Sequence, residues 1–312
     1  MLNFDAQQIK LALPWLDLIE ALRQQFILGC EMPQRHHHQF NIPNEQAGTL
    51  LLMPAWQEGA YMGVKMVSVV PDNGTRNLPA IHGLYILSSA KMGENLALLD
   101  GAELTARRTA AASALAAGYL AREDASELLI VGAGKLSLNL IEAHCAIRPI
   151  KQVKIWARRT AQAEQLARLA QAHGFNAVAV EDLESAARKA DIISCCTLSK
   201  QALIKGAWLK AGAHLDLIGA YTPDMRESDD ECVRSASIFV DTKVGALKEG
   251  GDIVQPIAAG VIAATDIKAD LYQLCRGEVA GRKTDSEITL FKSVGCALED
   301  LAAAILAYEN FK

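Results

Sequence analysis

Apolar residues recur every three to four positions in LPWLDLIEALRQQFILG, residues 13–29, placing Leu16, Ile19, Leu22 and Phe26 on one helical face. Pro14 suits a first turn and Gly29 a stop, so an amphipathic helix is predicted near the start of the chain. The period then shortens. GTLLLMPAW (48–56), YMGVKMVSVV (61–70), GLYILSS (83–89) and NLALLDG (95–101) read as strands separated by turn signals such as PDNG, which predicts a largely antiparallel unit.

From Thr105 the pattern changes again. TARRTAAASALAAGYLAR is alanine-rich and helical, with Thr105 as N-cap. The apolar runs ELLIVGAG, QVKIWA, NAVAV, DIISCCT, AHLDLIGAY and SIFVDT follow, separated by helical patterns, which is the alternation of an α/β fold: a doubly wound parallel sheet with crossover helices. The final stretch, 289–311, reads as a loop through Gly295 and then a helix that returns to the first unit.

Composition narrows the function classes. With 312 residues, 51% of them hydrophobic and 21% charged, the chain can bury a large core. A net charge of -5 provides no general attraction to nucleic acid or an anionic membrane, and neither is expected as a partner. The start MLNFDAQQIK lacks the features of an export signal, and no apolar run approaches the roughly 18 residues of a membrane span, so a cytoplasmic location is expected. The seven cysteines lack zinc-ligand spacing, and no metal is expected.

The candidate chemistry starts at VGAGKLSLNL. Gly132, Ala133 and Gly134 stand between a strand and a helix, where free backbone N–H groups and the helix dipole favour a diphosphate. Ser137 occupies the third small position, and its hydroxyl is available as an additional phosphate donor. The second strand ends in WARRT with no acid to accept from a ribose 2′-hydroxyl. Arg158 and Arg159, with Thr160 as donor and N-cap, instead suit a 2′-phosphate, so NADP(H) is the expected cofactor, with NAD(H) the alternative. Thr197 ends the fourth strand of this unit, at the edge where such cofactors lie.

GVKMVS, DGAELTARRTAAASALAA, IVGAG, GAWLKAGAH, IGAYTPDMRESDDE, VDTKVGALKEGGDI and TLFKSVGCALEDLAAA occur in that order, and with them the chain resembles the ornithine cyclodeaminase/mu-crystallin family over nearly its whole length. The resemblance implies a homodimer whose substrate-binding and dimerisation domain comprises 1–106 plus 287–312, with a Rossmann domain, 107–286, inserted. It also implies that Arg35, Lys65 and Arg108 hold a substrate carboxylate, for which fixed cationic donors are suited chemically. Ser293 and Val294 are placed near the nicotinamide on the same ground. Leu136 and Ser137 depart from the family's usual cofactor loop, removing one side-chain contact but not the backbone cradle.

Two other departures bear on the reaction. Ornithine cyclodeaminases have a glutamate and an aspartate where this chain has Leu51 and Tyr221. Expelling ammonia from a diamine benefits from carboxylates; leucine cannot accept a proton, and tyrosine is a poor base at neutral pH. Reduction of a protonated cyclic imine needs mainly a carboxylate anchor and alignment with the nicotinamide. The resemblance is therefore to the ketimine reductase branch, and the expected substrate is a small cyclic imino acid. Lys65 and Tyr221 are the expected catalytic residues, Tyr221 at most as a donor lining the site. An ornithine cyclodeaminase or alanine dehydrogenase-like enzyme acting on an amino acid, and a protein that binds NADPH and a small ligand without turnover, are the alternatives.

Three further stretches carry less. In RHHHQF, His36 to His38 alternate between faces of a strand, and one of them is expected beside Arg35. His82 is a candidate proton donor for the same cleft. RESDDE, 226–231, reads as the acidic, capped start of a helix.

Overall fold

A computed structural model describes residues 1–312. It divides into two compact units, Met1–Arg108 with Cys296–Lys312, and Thr109–Gly295.

The first unit opens with β1 (Leu2–Phe4), α1 (Ala6–Ala12) and α2 (Trp15–Leu28), continues through β2 (His36–Phe40), β3 (Gly48–Trp56), β4 (Tyr61–Val69), β5 (Ile81–Ser89) and β6 (Asn95–Asp100), and enters the long α3 (Gly101–Leu120). Its sheet has the order β1-β6-β5-β4-β3-β2, antiparallel except for β1 beside β6. Period-two alternation divides the sheet into two faces. Met53, Lys65, Tyr85 and Leu99 lie in one cross-strand row and are buried. On the opposite face Met62 and Met66 are exposed, and Leu52, Val64, Leu84 and Ile86 are half-buried.

Two local readings change here. The buried stripe of α2 is Leu18, Leu22, Gln25 and Phe26, which keeps the expected Leu22 and Phe26 and leaves Ile19 half-buried; Leu16 is exposed, and Leu18 takes its place one turn before Leu22. The start of α3 is Gly101, capped by the Asp100 carboxylate, which accepts from the N–H groups of Ala102 and Glu103 at 3.0 and 2.8 Å. Thr105 lies inside the helix and donates its hydroxyl to the Gly101 carbonyl. Gly101 is required at that point, since a Cβ would sit 2.5 Å from the Gly83 backbone.

The second unit runs β7 (Glu127–Val131), α4 (Ser137–Ile147), β8 (Gln152–Trp156), α5 (Thr160–Ala172), β9 (Ala177–Ala179), α6 (Leu183–Lys189), β10 (Ile192–Cys195), β11 (His214–Leu217), α7 (Asp230–Ser235), β12 (Ser237–Val240), α8 (Lys243–Glu249), α9 (Gly251–Ala258), β13 (Ile267–Asp270), α10 (Leu271–Cys275) and β14 (Thr289–Lys292). The chain then returns to the first unit as α11 (Ala297–Asn310), which packs on α2 and on β3, β4 and β5. The eight strands of the second unit are all parallel, in the order β13-β12-β14-β11-β10-β7-β8-β9. This is the doubly wound, Rossmann-type sheet expected from the alternating pattern.

Three strands were not expected: β1, β13 and β14. Thr289–Lys292, read above as loop, is the strand β14, inserted between β11 and β12 and buried throughout. Four residues are too few for a periodic signal, and Lys292 breaks the apolar run. No helix is long and apolar enough to cross a membrane.

Candidate functional site

In the first unit, charged side chains meet where an apolar core would be the default. Lys65, on the packed face of β4, is 2% exposed, and its Nζ donates to Asp300 Oδ1 at 2.9 Å and lies 2.8 Å from Oδ2. Arg108 Nε donates to Asp300 Oδ1 at 2.8 Å, and its Nη1 donates to Glu299 Oε2 at 2.6 Å. Glu299 and Asp300 occupy the first turn of α11, where their charge also complements the helix dipole. Both carboxylates are fully buried.

The electrostatics follow from this packing. Burial, with Arg108 beside it, lowers the Lys65 pKa to about 8 against the pull of Asp300; Arg35 acts in the same direction as Arg108. Burial opposes the charge on Arg108 too, but Asp300 and Glu299 outweigh it and hold the guanidinium well above its ordinary value. Two cations, Lys65 and Arg108, therefore stand against two carboxylates, Asp300 and Glu299, and Arg35 lies near enough to act on Lys65. Tyr85, opposite Lys65 on β5, is fully buried and its hydroxyl has no hydrogen-bond partner; a Cβ at Gly63 would come within 2.2 Å of that oxygen.

Lys65 and Arg108 are thus brought together as expected, and Arg35 is close enough to influence Lys65. His37 shares the face of β2 that is in register with the Lys65 side of the sheet, whereas His36 and His38 face the other way. His82 also points to the other face, since Tyr85 and Lys65 have the opposite parity, and this removes it as a donor to Lys65's surroundings. Glu299 and Asp300 were missed because EDLAAA reads as an ordinary acidic helix start; only tertiary packing shows that they are buried.

In the second unit, β7 ends at the glycine turn. Gly132 has φ +122°, and a Cβ there would lie 3.0 Å from both the carbonyl oxygen and the sulfur of Cys196. At Gly134 nothing lies within 4 Å of a Cβ position, so the turn presents open backbone ahead of α4. Ala133 and Leu136 are half-buried around it. These features fit a dinucleotide's diphosphate. Ser137, however, is completely buried, and its hydroxyl donates to the Gly132 carbonyl at 3.2 Å, which closes the turn internally and withdraws that hydroxyl from phosphate.

Arg158 and Arg159 are exposed at the carboxyl end of β8. Arg159 occupies the N-cap position of α5 and donates through Nε to Gln162 at 3.0 Å. Thr160 is the first helical residue and not the cap. Tyr221 is half-buried in the loop after β11. Thr197 donates through both N and Oγ1 to Glu227, at 2.6 and 2.8 Å. Ser293 and Val294 are buried and donate to Asp241 at 2.9 and 2.8 Å. The capped helix start predicted in RESDDE is present as α7, with Asp229 accepting from Cys232 N. Glu227 is not part of that exposed start but is fully buried.

A Rossmann-type sheet with an open glycine turn, paired with a six-stranded unit that buries a lysine-arginine-carboxylate cluster, defines a two-unit α/β protein of the dehydrogenase type. The chain belongs to the ornithine cyclodeaminase/mu-crystallin family, whose model matches residues 7–312. It is 39% identical over 293 residues to Delta(1)-pyrroline-2-carboxylate reductase of Paracoccus denitrificans, covering 94% of this chain and 91% of that one. Among solved structures it is similar to the Thermococcus litoralis Delta(1)-pyrroline-2-carboxylate reductase in complex with NADH and L-proline, with 34% identity, TM-score 0.92, and 99% and 97% of the two chains covered. An archaeal alanine dehydrogenase dimer with bound NAD is 31% identical, with TM-score 0.91 and coverage of 99% and 95%.

Proposed function

We propose that this protein is an oxidoreductase acting on C=N bonds, which reduces a cyclic imino acid, pyrroline-2-carboxylate or piperideine-2-carboxylate, to proline or pipecolate. The observation that carries the reading is the buried Lys65–Arg108 cluster, two cationic donors held in place by Asp300 and Glu299, in a chain with Leu51 and Tyr221 where a diamine-deaminating enzyme needs acids. The relatives named for pyrroline-2-carboxylate reduction support the same substrate class.

In this reading Arg108, Lys65 and Arg35 hold the substrate carboxylate, with Asp300 and Glu299 keeping Arg108 and Lys65 in place. The glycine turn, Gly132 to Gly134, and the N-terminus of α4 hold the diphosphate of a nicotinamide dinucleotide. A bound nicotinamide would supply the hydride, and a protonated cyclic imine would be the acceptor. Anchoring and alignment are then the main tasks of the protein, and Tyr221 lines the site without acting as a base. Arg158 and Arg159 favour NADPH, because guanidinium groups match a 2′-phosphate and no acid is present for a free ribose hydroxyl. The apolar outer face of the first sheet, with Met62 and Met66 exposed, supports a homodimer formed through that face.

The buried Lys65, with its pKa near 8, favours a second reading, since an amine-oxidising enzyme of the alanine dehydrogenase type needs a base in that range. One set of assays separates the two readings. Cofactor oxidation is expected with the two cyclic imines, with weak turnover of pyruvate plus ammonia and no ammonia release from ornithine; turnover of pyruvate plus ammonia at comparable efficiency moves the assignment to the second reading, and ammonia release from ornithine overturns both. Replacing Arg158 and Arg159 together by alanine should lower the NADPH/NADH preference by roughly tenfold or more, and an unchanged ratio removes them from phosphate recognition.

A further inference from the structure

The carboxyl edge of the second unit's sheet is held by buried carboxylates that lie outside the strands they connect. Glu227, fully buried, precedes α7. One of its oxygens accepts from Thr197 N and Oγ1, at 2.6 and 2.8 Å, in the loop after β10. The other accepts from Gly219 N and Ala220 N, at 2.8 and 3.2 Å, in the loop after β11. These two loops touch: a Cβ at Gly219 would lie 2.1 Å from Thr197 N and O. The β10 loop in turn abuts the glycine turn, since Cys196 N donates to Val131 O and Cys196 crowds the missing Cβ of Gly132.

The chain of contacts continues in the other direction. Asp252, in the first turn of α9 and fully buried, accepts from Glu227 N, Ser228 N and Ser228 Oγ at 2.8, 2.9 and 3.1 Å, and from Lys292 Nζ at 3.1 Å. Lys292 is the last residue of β14. Three charged groups without exposure are a costly way to tie loops together, and apolar side chains would hold the fold at lower cost. Burial and Asp252 push the Glu227 carboxyl up to about 7, opposed by Lys292 and the Thr197 donors. What the carboxylate provides and an apolar residue cannot is a directional link to both loops, which fixes their spacing.

We propose that Glu227 is a positioning residue for the dinucleotide: it sets the spacing of the loops after β10 and β11, and through Asp252 and Lys292 ties them to β14, so that the cofactor meets a preformed edge. This rests on the dinucleotide reading given above. Glu227 acts through the loops and does not touch the reacting atoms.

The test is Glu227→Gln in the full chain, with NADH and NADPH binding followed by fluorescence and both Michaelis constants measured. The amide places an N–H₂ against backbone N–H donors on one loop. The cofactor KM and Kd should rise by roughly tenfold or more, while the KM for the cyclic imine stays within about twofold. A purely structural role gives a different result, a lower melting temperature and fewer active sites with both KM values unchanged, and that result overturns the proposal. If the glutamine variant does not fold, Glu227→Asp, which keeps the carboxylate but shortens its reach so that it cannot span both loops, should raise the cofactor KM severalfold with the imine KM unchanged; an unaltered cofactor KM there overturns it equally. Wild-type protein that binds neither NADH nor NADPH overturns the dinucleotide reading itself, and this proposal with it.

Discussion

Lys65 and Arg108 carry charges that water no longer screens, and their behaviour depends on Asp300 and Glu299. Replacing Arg108 by alanine would leave buried carboxylates short of a cation, at a cost of about 3–5 kcal/mol, and would confuse folding with binding. Arg108→Lys is the more informative change. It keeps the charge but loses the planar fork, and the imine KM should rise by about tenfold with little change in melting temperature; an unchanged KM removes Arg108 from the carboxylate site. Lys65 predicts a pH dependence. Its pKa is lowered from 10.5 to about 8, so it is charged at neutral pH and loses its proton as pH rises through that value. Affinity for a competitor such as cyclopentanecarboxylate, which has no nitrogen to titrate, should be constant below pH 7 and fall above pH 8. Affinity that is flat to pH 10 would show that Lys65 does not grip the carboxylate.

Among elements, the β7–α4 connection makes the sharpest prediction. Gly132 combines a positive φ with a 3.0 Å approach to Cys196, so Gly132→Ala strains the backbone and displaces the neighbouring loop together. Dinucleotide affinity should fall by at least about tenfold in a fluorescence titration, and an unaffected affinity would place the diphosphate elsewhere. This turn was readable from the chain because glycine spacing is a local signal with a local cause. The same holds for the six strands with apolar runs and for α7, whose Asp229 cap lies within three residues of its partner. The strand β14 was not readable, since it contains a lysine whose charge is neutralised by Asp252, 40 residues away in sequence. Thr105 and Thr160 misled for a related reason: each is a good capping residue, but Asp100, five residues before Thr105, and Arg159, next to Thr160, occupy the cap positions.

At the scale of the molecule, the outer face of the first sheet is apolar and unpaired within that unit, with Trp56, Met62 and Met66 exposed on it. Met66→Asp should halve the solution mass measured by light scattering if the homodimer forms through this face, and an unchanged dimer mass would move the interface elsewhere. The amino-acid sequence by itself determined the parallel α/β sheet, the antiparallel unit before it and the glycine turn, because hydrophobic period and turn residues are properties of short stretches, whereas Arg35, Lys65 and Arg108 stood out through the family resemblance. Only the tertiary structure decided which acids are buried. Glu227, Asp252, Glu299 and Asp300 resemble solvent-facing acids in the chain, and they become structural only when packing excludes water and brings Lys292, Lys65, Arg108 and backbone N–H groups to them. A buried charge is defined by its partners, and those partners are distant in sequence.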